Sequence, residues 1–313
     1  MVSTPKWAAG QCGTSGRNLS SVIPSTIQDL KQALDGQDYI ADEDLLVAIH
    51  LALQLGRPLF LEGEAGVGKT EVAKVLAAVA GEELIRLQCY EGLDVGHALY
   101  EWDYALQMME IRLLEARGEG SKATARDIMS REFLIARPLL QAIEAAREGR
   151  RPVLLIDELD RADEEFEAFL LELLSDFQVS IPEIGTIKAD DPPVVILTSN
   201  RTREIHDALK RRCIYHWIDY PTPALEASIV LRKVPGVQED LARSLSAAMA
   251  KLRQMDLFKP PGVAETLDWA HSVKLLHDGE LTPGLAEQTL GVVLKYKDDI
   301  DAVRAAGVEA LVS

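Results

Sequence analysis

The chain has 313 residues, 47% of them hydrophobic and 27% charged, which excludes extensive disorder and predicts one large folded unit with a smaller one appended. Its net charge of −17 is spread along the chain and argues against nucleic acid or anionic membrane surfaces as partners. The three cysteines are odd in number and lack metal-ligand spacing, which favours a reducing cytoplasm over a disulfide framework. No apolar run reaches the ~20 residues that span a bilayer, so we expect no integral membrane segment.

Strand and helix patterns alternate after an N-terminal stretch. Residues 1–25 are rich in Ser, Thr and Gly and are predicted to form a flexible arm. Five short apolar runs then predict strands, with helical spacing between most of them. Alternation of this kind predicts a doubly wound α/β core with a five-stranded, mainly parallel sheet over residues 26–221. The five runs are Leu59 to Glu62, Glu83 to Gln88, Val153 to Asp157, Val194 to Ser199 and Ile214 to Ile218.

Two inserts and a helical C-terminal region complete the predicted architecture. Residues 89–151 are too many for one crossover helix and should contain additional helices. Residues 178–193 alternate and turn in the manner of a β-hairpin. At Thr222-Pro223 a capping residue precedes a proline at the first helical position, and the chain beyond is strand-poor. We therefore expect a smaller all-helical lid domain over residues 222–313.

The strongest chemical signal is a complete G-x-x-x-x-G-K-[ST] motif between the first predicted strand and a helix. Such a loop wraps phosphate with its backbone N–H groups at the positive end of the helix. Lys69 is expected to neutralise β- and γ-phosphate oxygens, and the Thr70 hydroxyl to ligate Mg²⁺. The residues predicted to bind ATP or ADP are Gly63, Glu64, Ala65, Gly66, Val67, Gly68, Lys69, Thr70 and Glu71.

Three further positions carry candidate catalytic groups. Asp157 is expected to hold the metal through water, and Glu158 to act as general base or to orient the attacking water. Taken alone, this acidic pair could equally be the capping end of a buried strand. Asn200 could position the water or simply cap a helix. Arg211 or Arg212 could reach across a subunit boundary to the transferred phosphoryl group, or could be solvated surface residues.

This order of elements resembles the AAA+ ATPases, and specifically their MoxR branch, over about residues 26–313. Residues 87–92 (LQCYEG) and 211–221 (RRCIYHWIDYP) are similar to the CoxD subgroup. That subgroup is associated with maturation of the molybdenum–copper site of carbon monoxide dehydrogenases. The resemblance implies ATP hydrolysis between subunits of a homo-hexameric ring that remodels a client metalloenzyme. It also implies axial loops drawn from the two inserts, and a partner with a von Willebrand factor A domain.

The resemblance also assigns roles to individual residues. Many relatives carry an arginine early in a lid helix that touches the γ-phosphate, whereas residues 262–266 here offer Thr266. Lid closure would then use another contact, such as Lys259. The assigned roles are Walker A for Lys69 and Thr70, Walker B for Asp157 and Glu158, first sensor for Asn200, and trans-acting finger for Arg212, with Arg211 as second choice.

Two functions compete with an ATP-driven remodelling chaperone. One is a nucleotide-gated scaffold that binds and releases a partner with little turnover, against which Glu158 and the candidate finger argue. The other is a DNA motor, which the acidic surface and the shortness of every basic tract disfavour.

Overall fold

The computed structural model describes residues 24–117, 128–276 and 280–312. Nearly all of the predicted N-terminal arm, with Cys12, lies outside these ranges. The strands are β1 (Leu59–Gly63), β2 (Leu84–Gln88), β3 (Tyr100–Trp102), β4 (Leu134–Ala136), β5 (Val153–Asp157), β6 (Gln178–Ile181), β7 (Gly185–Lys188), β8 (Val194–Ser199) and β9 (Ile214–Ile218).

Helices occupy most of the remaining described chain, with 3₁₀ turns at Arg131–Phe133 and Leu159–Arg161. The helices are α1 (Ile27–Asp35), α2 (Glu43–Leu55), α3 (Lys69–Ala80), α4 (Val95–Leu99), α5 (Tyr104–Ala116), α6 (Pro138–Arg147), α7 (Glu164–Asp176), α8 (Asp207–Lys210), α9 (Pro223–Lys233), α10 (Glu239–Gln254), α11 (Val263–Leu276), α12 (Pro283–Val293), α13 (Lys297–Ala306) and α14 (Glu309–Val312).

The five predicted strands form one parallel sheet in the order β2-β5-β8-β1-β9. Helices cover both faces, and the side chains of β1, β5 and β8 are buried on both sides, which explains why these strands read as continuous apolar runs. The edge strands β2 and β9 remain partly exposed. Leu59 and Leu61 pack with α1, α2 and α3, whereas Phe60 points to the opposite core with α6 and α7. The predicted doubly wound α/β fold is confirmed.

Both predicted inserts are present in the structure. The insert after β2 contains α4, α5 and a short antiparallel pair, β3 with β4, and its residues 118–127 lie outside the described ranges. The predicted hairpin is confirmed, since β6 and β7 pair antiparallel with Ile181 opposite Gly185.

The C-terminal region from α9 onward is helical, as predicted. Thr222 caps α9 by accepting a hydrogen bond from the Leu225 amide at 3.3 Å. These helices share a core around Trp269, which is fully buried and donates its indole N–H to the Thr289 hydroxyl at 2.7 Å. Within the described ranges, no helix combines the length and apolar character needed to cross a bilayer.

Candidate nucleotide-binding and hydrolysis site

The candidate site lies at one edge of the sheet. In a parallel sheet all strands end at the same side, and a crevice outside those carboxyl ends is where such folds bind ligands. The P-loop follows β1, Asp157 ends β5 and Asn200 follows β8. The fold therefore brings together three groups that are separated by up to 137 positions in the chain, from Gly63 to Asn200.

Two glycines of the P-loop are required by close backbone approaches. Gly63 has φ +156°, and a Cβ there would lie 2.3 Å from the Ile218 carbonyl oxygen of the neighbouring strand. Gly66 has φ +79°, and its Cβ would lie 3.0 Å from the Cα of Gly262. Larger residues would displace the loop from β9 on one side and from the helical region on the other.

Lys69 places its ammonium group inside the loop. The side chain is buried, and Nζ donates to the carbonyl oxygens of Gly63 at 2.8 Å and Glu64 at 2.6 Å. Burial lowers the pKa of Lys69, an effect opposed by the negative charges of Asp160 and other nearby carboxylates. A cation held in this way is already positioned for phosphate oxygens wrapped by the same loop.

Asp157 is the centre of a polar cluster. Its Oδ1 accepts hydrogen bonds from the Thr70 hydroxyl at 3.1 Å and the Thr198 hydroxyl at 2.6 Å, and Oδ2 accepts from Arg86 Nη2 at 2.5 Å. The carboxylate is almost completely buried. An uncompensated carboxylate would be costly here, and these donors stabilise its charged form.

The donor set at Asp157 fits Mg²⁺. A hydroxyl and a carboxylate oxygen 3.1 Å apart are hard oxygen ligands, and Mg²⁺ usually takes one or two protein oxygens with waters and substrate phosphates. Across the described part of the chain, no three His, Cys, Asp or Glu side chains are grouped to hold a metal on their own. A magnesium ion between Thr70 and Asp157 would therefore depend on the bound phosphates.

Glu158 points away from Asp157 because the backbone turns sharply between them. Its φ and ψ of 55° and 50° are left-handed, an uncommon conformation for a residue other than glycine, and its amide donates to the Thr198 hydroxyl at 2.9 Å. The carboxylate is partly exposed and pairs with Arg161 at 2.9 Å. This arrangement leaves an acid accessible to water beside a buried one, as the two proposed roles require.

A buried aspartate fixes the turn that carries Asn200. Asp160 accepts hydrogen bonds from the Asn200 amide at 3.1 Å and from the Thr202 amide and hydroxyl at 2.9 and 2.6 Å. Burial raises the pKa of Asp160, but the hydrogen bonds from Thr202 and Asn200 outweigh it and the net shift is downward. Asn200 is thereby held, half-buried, beside the end of β5.

Arg211 and Arg212 lie at the opposite edge of the sheet. They precede β9, in which Ile214 pairs with Leu59 and Ile218 with Gly63, so about 13 Å of strand separates them from the P-loop. Arg212 donates a hydrogen bond to the Leu171 carbonyl of α7. Arg211 is exposed, and within the described chain its guanidinium has no hydrogen-bond or ion-pair partner. The structure thus distinguishes Arg211 from Arg212, although their positions in the sequence make either a candidate for the trans-acting residue.

A cavity of about 630 Å³ adjoins the P-loop, a volume within the range of small-molecule sites. The N-terminus of α11 closes one side, where the Val263 amide donates to the Gly66 carbonyl at 2.9 Å. Its lining combines P-loop residues, apolar side chains and the acid–base pair Glu71 and Lys233. The apolar lining includes Tyr39, Ile40, Leu45, Leu225, Ile229, Val263 and Leu267.

Neither Thr266 nor Lys259 is placed to replace the lid arginine that touches the γ-phosphate in many relatives. Thr266 is buried, and its hydroxyl donates to Glu226 at 2.5 Å. Lys259 is exposed and is not among the residues that line the cavity. Glu226 also forms a buried, two-bond ion pair with Arg253, at 2.7 Å for each bond.

Sequence reasoning missed four residues that shape this site: Arg86, Asp160, Thr198 and Gly262. Arg86 and Thr198 carry a weak signal, since each is a polar residue within a mostly apolar strand. Asp160 lies two residues beyond Glu158 and could have been read as part of the acidic strand end. Gly262 precedes a helix, where glycine commonly caps, and only the structure shows its contact with Gly66.

Comparison with known proteins identifies the fold of this region. Residues 58–213 match the AAA domain (dynein-related subfamily). No curated protein matches the sequence. Among solved structures, the chain is similar to three mutant forms of RuvB from Thermotoga maritima, at 15% identity and TM-scores of 0.46, 0.46 and 0.47. Each alignment covers 88% of this chain and 74%, 74% and 75% of the respective RuvB chain.

Similarity to RuvB at this level transfers nothing about binding or activity to this chain. The match of the AAA domain extends from the start of β1 to the start of β9 and includes the P-loop, Asp157, Glu158 and Asn200. It covers β1, β2, β5 and β8, which are four of the five strands of the parallel sheet. Residues 58–213 are therefore similar to AAA domains of the dynein-related type, and the parallel sheet with its P-loop agrees with the AAA+ P-loop NTPase fold.

Proposed function

We propose that this protein hydrolyses ATP with Mg²⁺ at the site around Lys69. One observation carries the proposal: a buried cation in a glycine-rich loop, a hydroxyl and a buried carboxylate meet at one edge of the sheet. Lys69 would exchange the carbonyls of Gly63 and Glu64 for phosphate oxygens, and Thr70 with Asp157 would hold the metal. Magnesium, when bound, neutralises charge on the β- and γ-phosphates.

The remaining groups act on water and on the developing charge. Glu158, accessible to solvent and turned away from Asp157, would take a proton from the attacking water. Asn200, held through its backbone by Asp160, would orient that water. A guanidinium from another copy of the chain would stabilise charge on the transferred phosphoryl group. Because Arg212 is bound within its own chain, Arg211 is the better candidate for that role.

The oligomer, the lid and the client belong to the same proposal. Arginines at the edge of the sheet far from their own P-loop support a homo-oligomer, and the resemblance to MoxR proteins supports a hexamer. Residues 222–313 would form the lid, since α11 contacts the loop at Gly66. The CoxD-like runs at 87–92 and 211–221 support a cytoplasmic role in maturing a metalloenzyme of the carbon monoxide dehydrogenase type, with a von Willebrand factor A domain protein as partner.

Two substitutions test the proposal. Lys69→Ala removes charged hydrogen bonds to phosphate worth about 1.5–3 kcal/mol, so we expect ATP affinity to fall about tenfold or more. Lys31→Ala, which removes an exposed lysine of α1, is the matched control. Binding is measured by titration with a fluorescent ATP analogue. Equal affinity in Lys69→Ala and the control would contradict the site.

The second substitution, Glu158→Gln, keeps the size of the side chain but removes the base. We expect it to retain ATP while turnover falls about 10²-fold, as measured by phosphate release. If the wild-type protein binds ATP and the substitution changes no rate, the nucleotide-gated scaffold with little turnover becomes the better description.

A further inference from the structure

Arg57 binds the turn that carries the two candidate finger arginines. It lies in the short connection between α2 and β1, and its guanidinium donates to three successive carbonyl oxygens. Nη2 reaches Arg211 at 2.6 Å and Cys213 at 3.2 Å, and Nε reaches Arg212 at 3.0 Å. Arg57 therefore binds the backbone of this turn, and it can affect the arginine side chains only through that backbone.

The three carbonyls lie beyond α8, which ends at Lys210. The amides of this turn donate back to the carbonyls of Asp207, Leu209 and Lys210, so the carbonyls of the turn itself need donors from elsewhere in the chain. The planar guanidinium carries several donors in a fixed fork, and its hydrogen bonds are charge-assisted. One side chain can therefore hold three carbonyls in a fixed geometry, which a single-point donor such as lysine cannot.

Other contacts hold the same turn from its remaining sides. Arg212 donates to the Leu171 carbonyl, and Lys210 lies 3.4 Å from the buried carboxylate of Glu62. Each basic residue around Arg211 thus binds a group of its own chain. Arg211 itself extends from the fixed backbone without an intramolecular partner among the described residues. Arg57, Arg211 and Arg212 line one open groove of about 650 Å³.

We propose that Arg57 is a positioning residue, which fixes the 211–213 turn so that Arg211 meets the phosphates bound by a neighbouring copy of the chain. The inference rests on the proposed ATPase function and names the group that orients its trans-acting arginine. It differs from a purely structural role in one respect: losing Arg57 should damage the neighbour's catalytic site and leave the chain's own nucleotide site intact.

The first test is kinetic. A misplacement of about 1 Å in a catalytic group can cost about 10²-fold, so we expect Arg57→Gln to lower kcat by about that factor with unchanged ATP affinity. Arg57→Lys keeps the charge but not the fork, and we expect an intermediate rate. A wild-type rate in Arg57→Gln would overturn the proposal, as would a large loss of ATP affinity.

Mixing subunits tests the direction of the effect. Arg57→Gln subunits keep Lys69 and Glu158, and Glu158→Gln subunits keep a correctly held Arg211. We expect a mixture of the two to hydrolyse ATP faster than the sum of the separate preparations, because a Glu158→Gln subunit can serve the site of an Arg57→Gln neighbour. Absence of any gain, with both variants folded by circular dichroism, would contradict positioning in trans.

A readout without ATP separates this inference from the proposed function. Three charged hydrogen bonds hold the turn, and losing even one bond worth about 1.5 kcal/mol raises local opening about tenfold. Trypsin should therefore cleave after Arg211 or Arg212 about tenfold faster in Arg57→Gln, relative to other exposed basic sites. Unchanged cleavage would overturn the claim that Arg57 holds the turn. An inactive wild-type protein would instead contradict the ATPase proposal, whatever the protease result.

Discussion

The two edges of the parallel sheet differ in how their charged groups are used. At the carboxyl edge, Lys69 bonds its own loop, and Thr70, Thr198 and Arg86 surround Asp157. At the amino edge, Arg211 extends from a firmly held turn without a partner in the described chain. Under the proposed function, the first edge would hold a metal-bound triphosphate, whereas the second would offer a cation that its own site cannot reach. A catalytic unit would therefore combine the carboxyl edge of one copy with the amino edge of another.

The largest predicted effect contrasts the two neighbouring arginines at the amino edge. A trans-acting arginine contributes about 10³-fold or more to turnover, so Arg211→Ala should lower kcat by at least that factor with ATP affinity retained. Arg212→Ala removes one hydrogen bond to the Leu171 carbonyl and should cost far less. Steady-state ATPase assays at saturating ATP measure both. If Arg212→Ala proved the more damaging, the preference for Arg212 drawn from family resemblance would be correct.

A smaller effect is expected where the C-terminal helical region meets the carboxyl edge. A Cβ at Gly262 would lie 2.7 Å from the Cα of Gly66 and 2.9 Å from the Ala65 carbonyl oxygen. Gly262→Ala should therefore cost about 1–3 kcal/mol in docking of α11 on the P-loop and weaken ATP binding about tenfold. Gly284→Ala, in α12, is the control, because no heavy atom lies within 4 Å of that Cβ. Equal affinities, measured by calorimetry, would mean that the lid contact does not shape the nucleotide site.

The smallest effect concerns the thiol that follows the arginine pair. Burial raises the pKa of Cys213 to about 12, so the thiol stays protonated at pH 8 and should not react with iodoacetamide. We expect no loss of activity on treatment and no modified Cys213 in peptide mass spectra. In the unfolded chain the thiol has its ordinary pKa of 9.0, whereas in the folded protein it keeps its proton up to about pH 12. Its contribution to stability should therefore decline as pH rises between those values. Modification of Cys213 in the folded protein would show that the amino edge opens readily.

Much of the fold could be predicted because local and global signals agree. The central strands β5 and β8 match their apolar runs residue for residue, since burial on both faces favours apolar residues there. The edge strand β9 also has its predicted bounds, although four of its five residues are partly or fully exposed. The sheet order could not be predicted in the same way. It depends on pairings such as Leu59 with Ile196, which join residues far apart in the chain and leave no local pattern.

The same distinction between local and long-range signals applies to the candidate site. The predicted roles of Lys69 and Thr70 follow from one local motif, and that of Asp157 from the acidic end of an apolar run. The contact of Arg86 with Asp157 bridges two strands, and the difference between Arg211 and Arg212 depends on a carbonyl of α7 about forty positions away. Each of these contacts depends on the rotamer that a flexible, charged side chain adopts in the folded protein. Sequence spacing does not predict that rotamer.

The pairing of β1 with a strand on each side has a consequence for its motion. This strand leads into the glycine loop and is paired along its length, with β8 on one side and β9 on the other, and all five of its residues are buried. Its amides should exchange with deuterium more slowly than those of the edge strands β2 and β9, because local fraying begins at edges and termini. Slow exchange in β1 during ATP hydrolysis would mean that the strand leading into the P-loop stays paired while the nucleotide is processed.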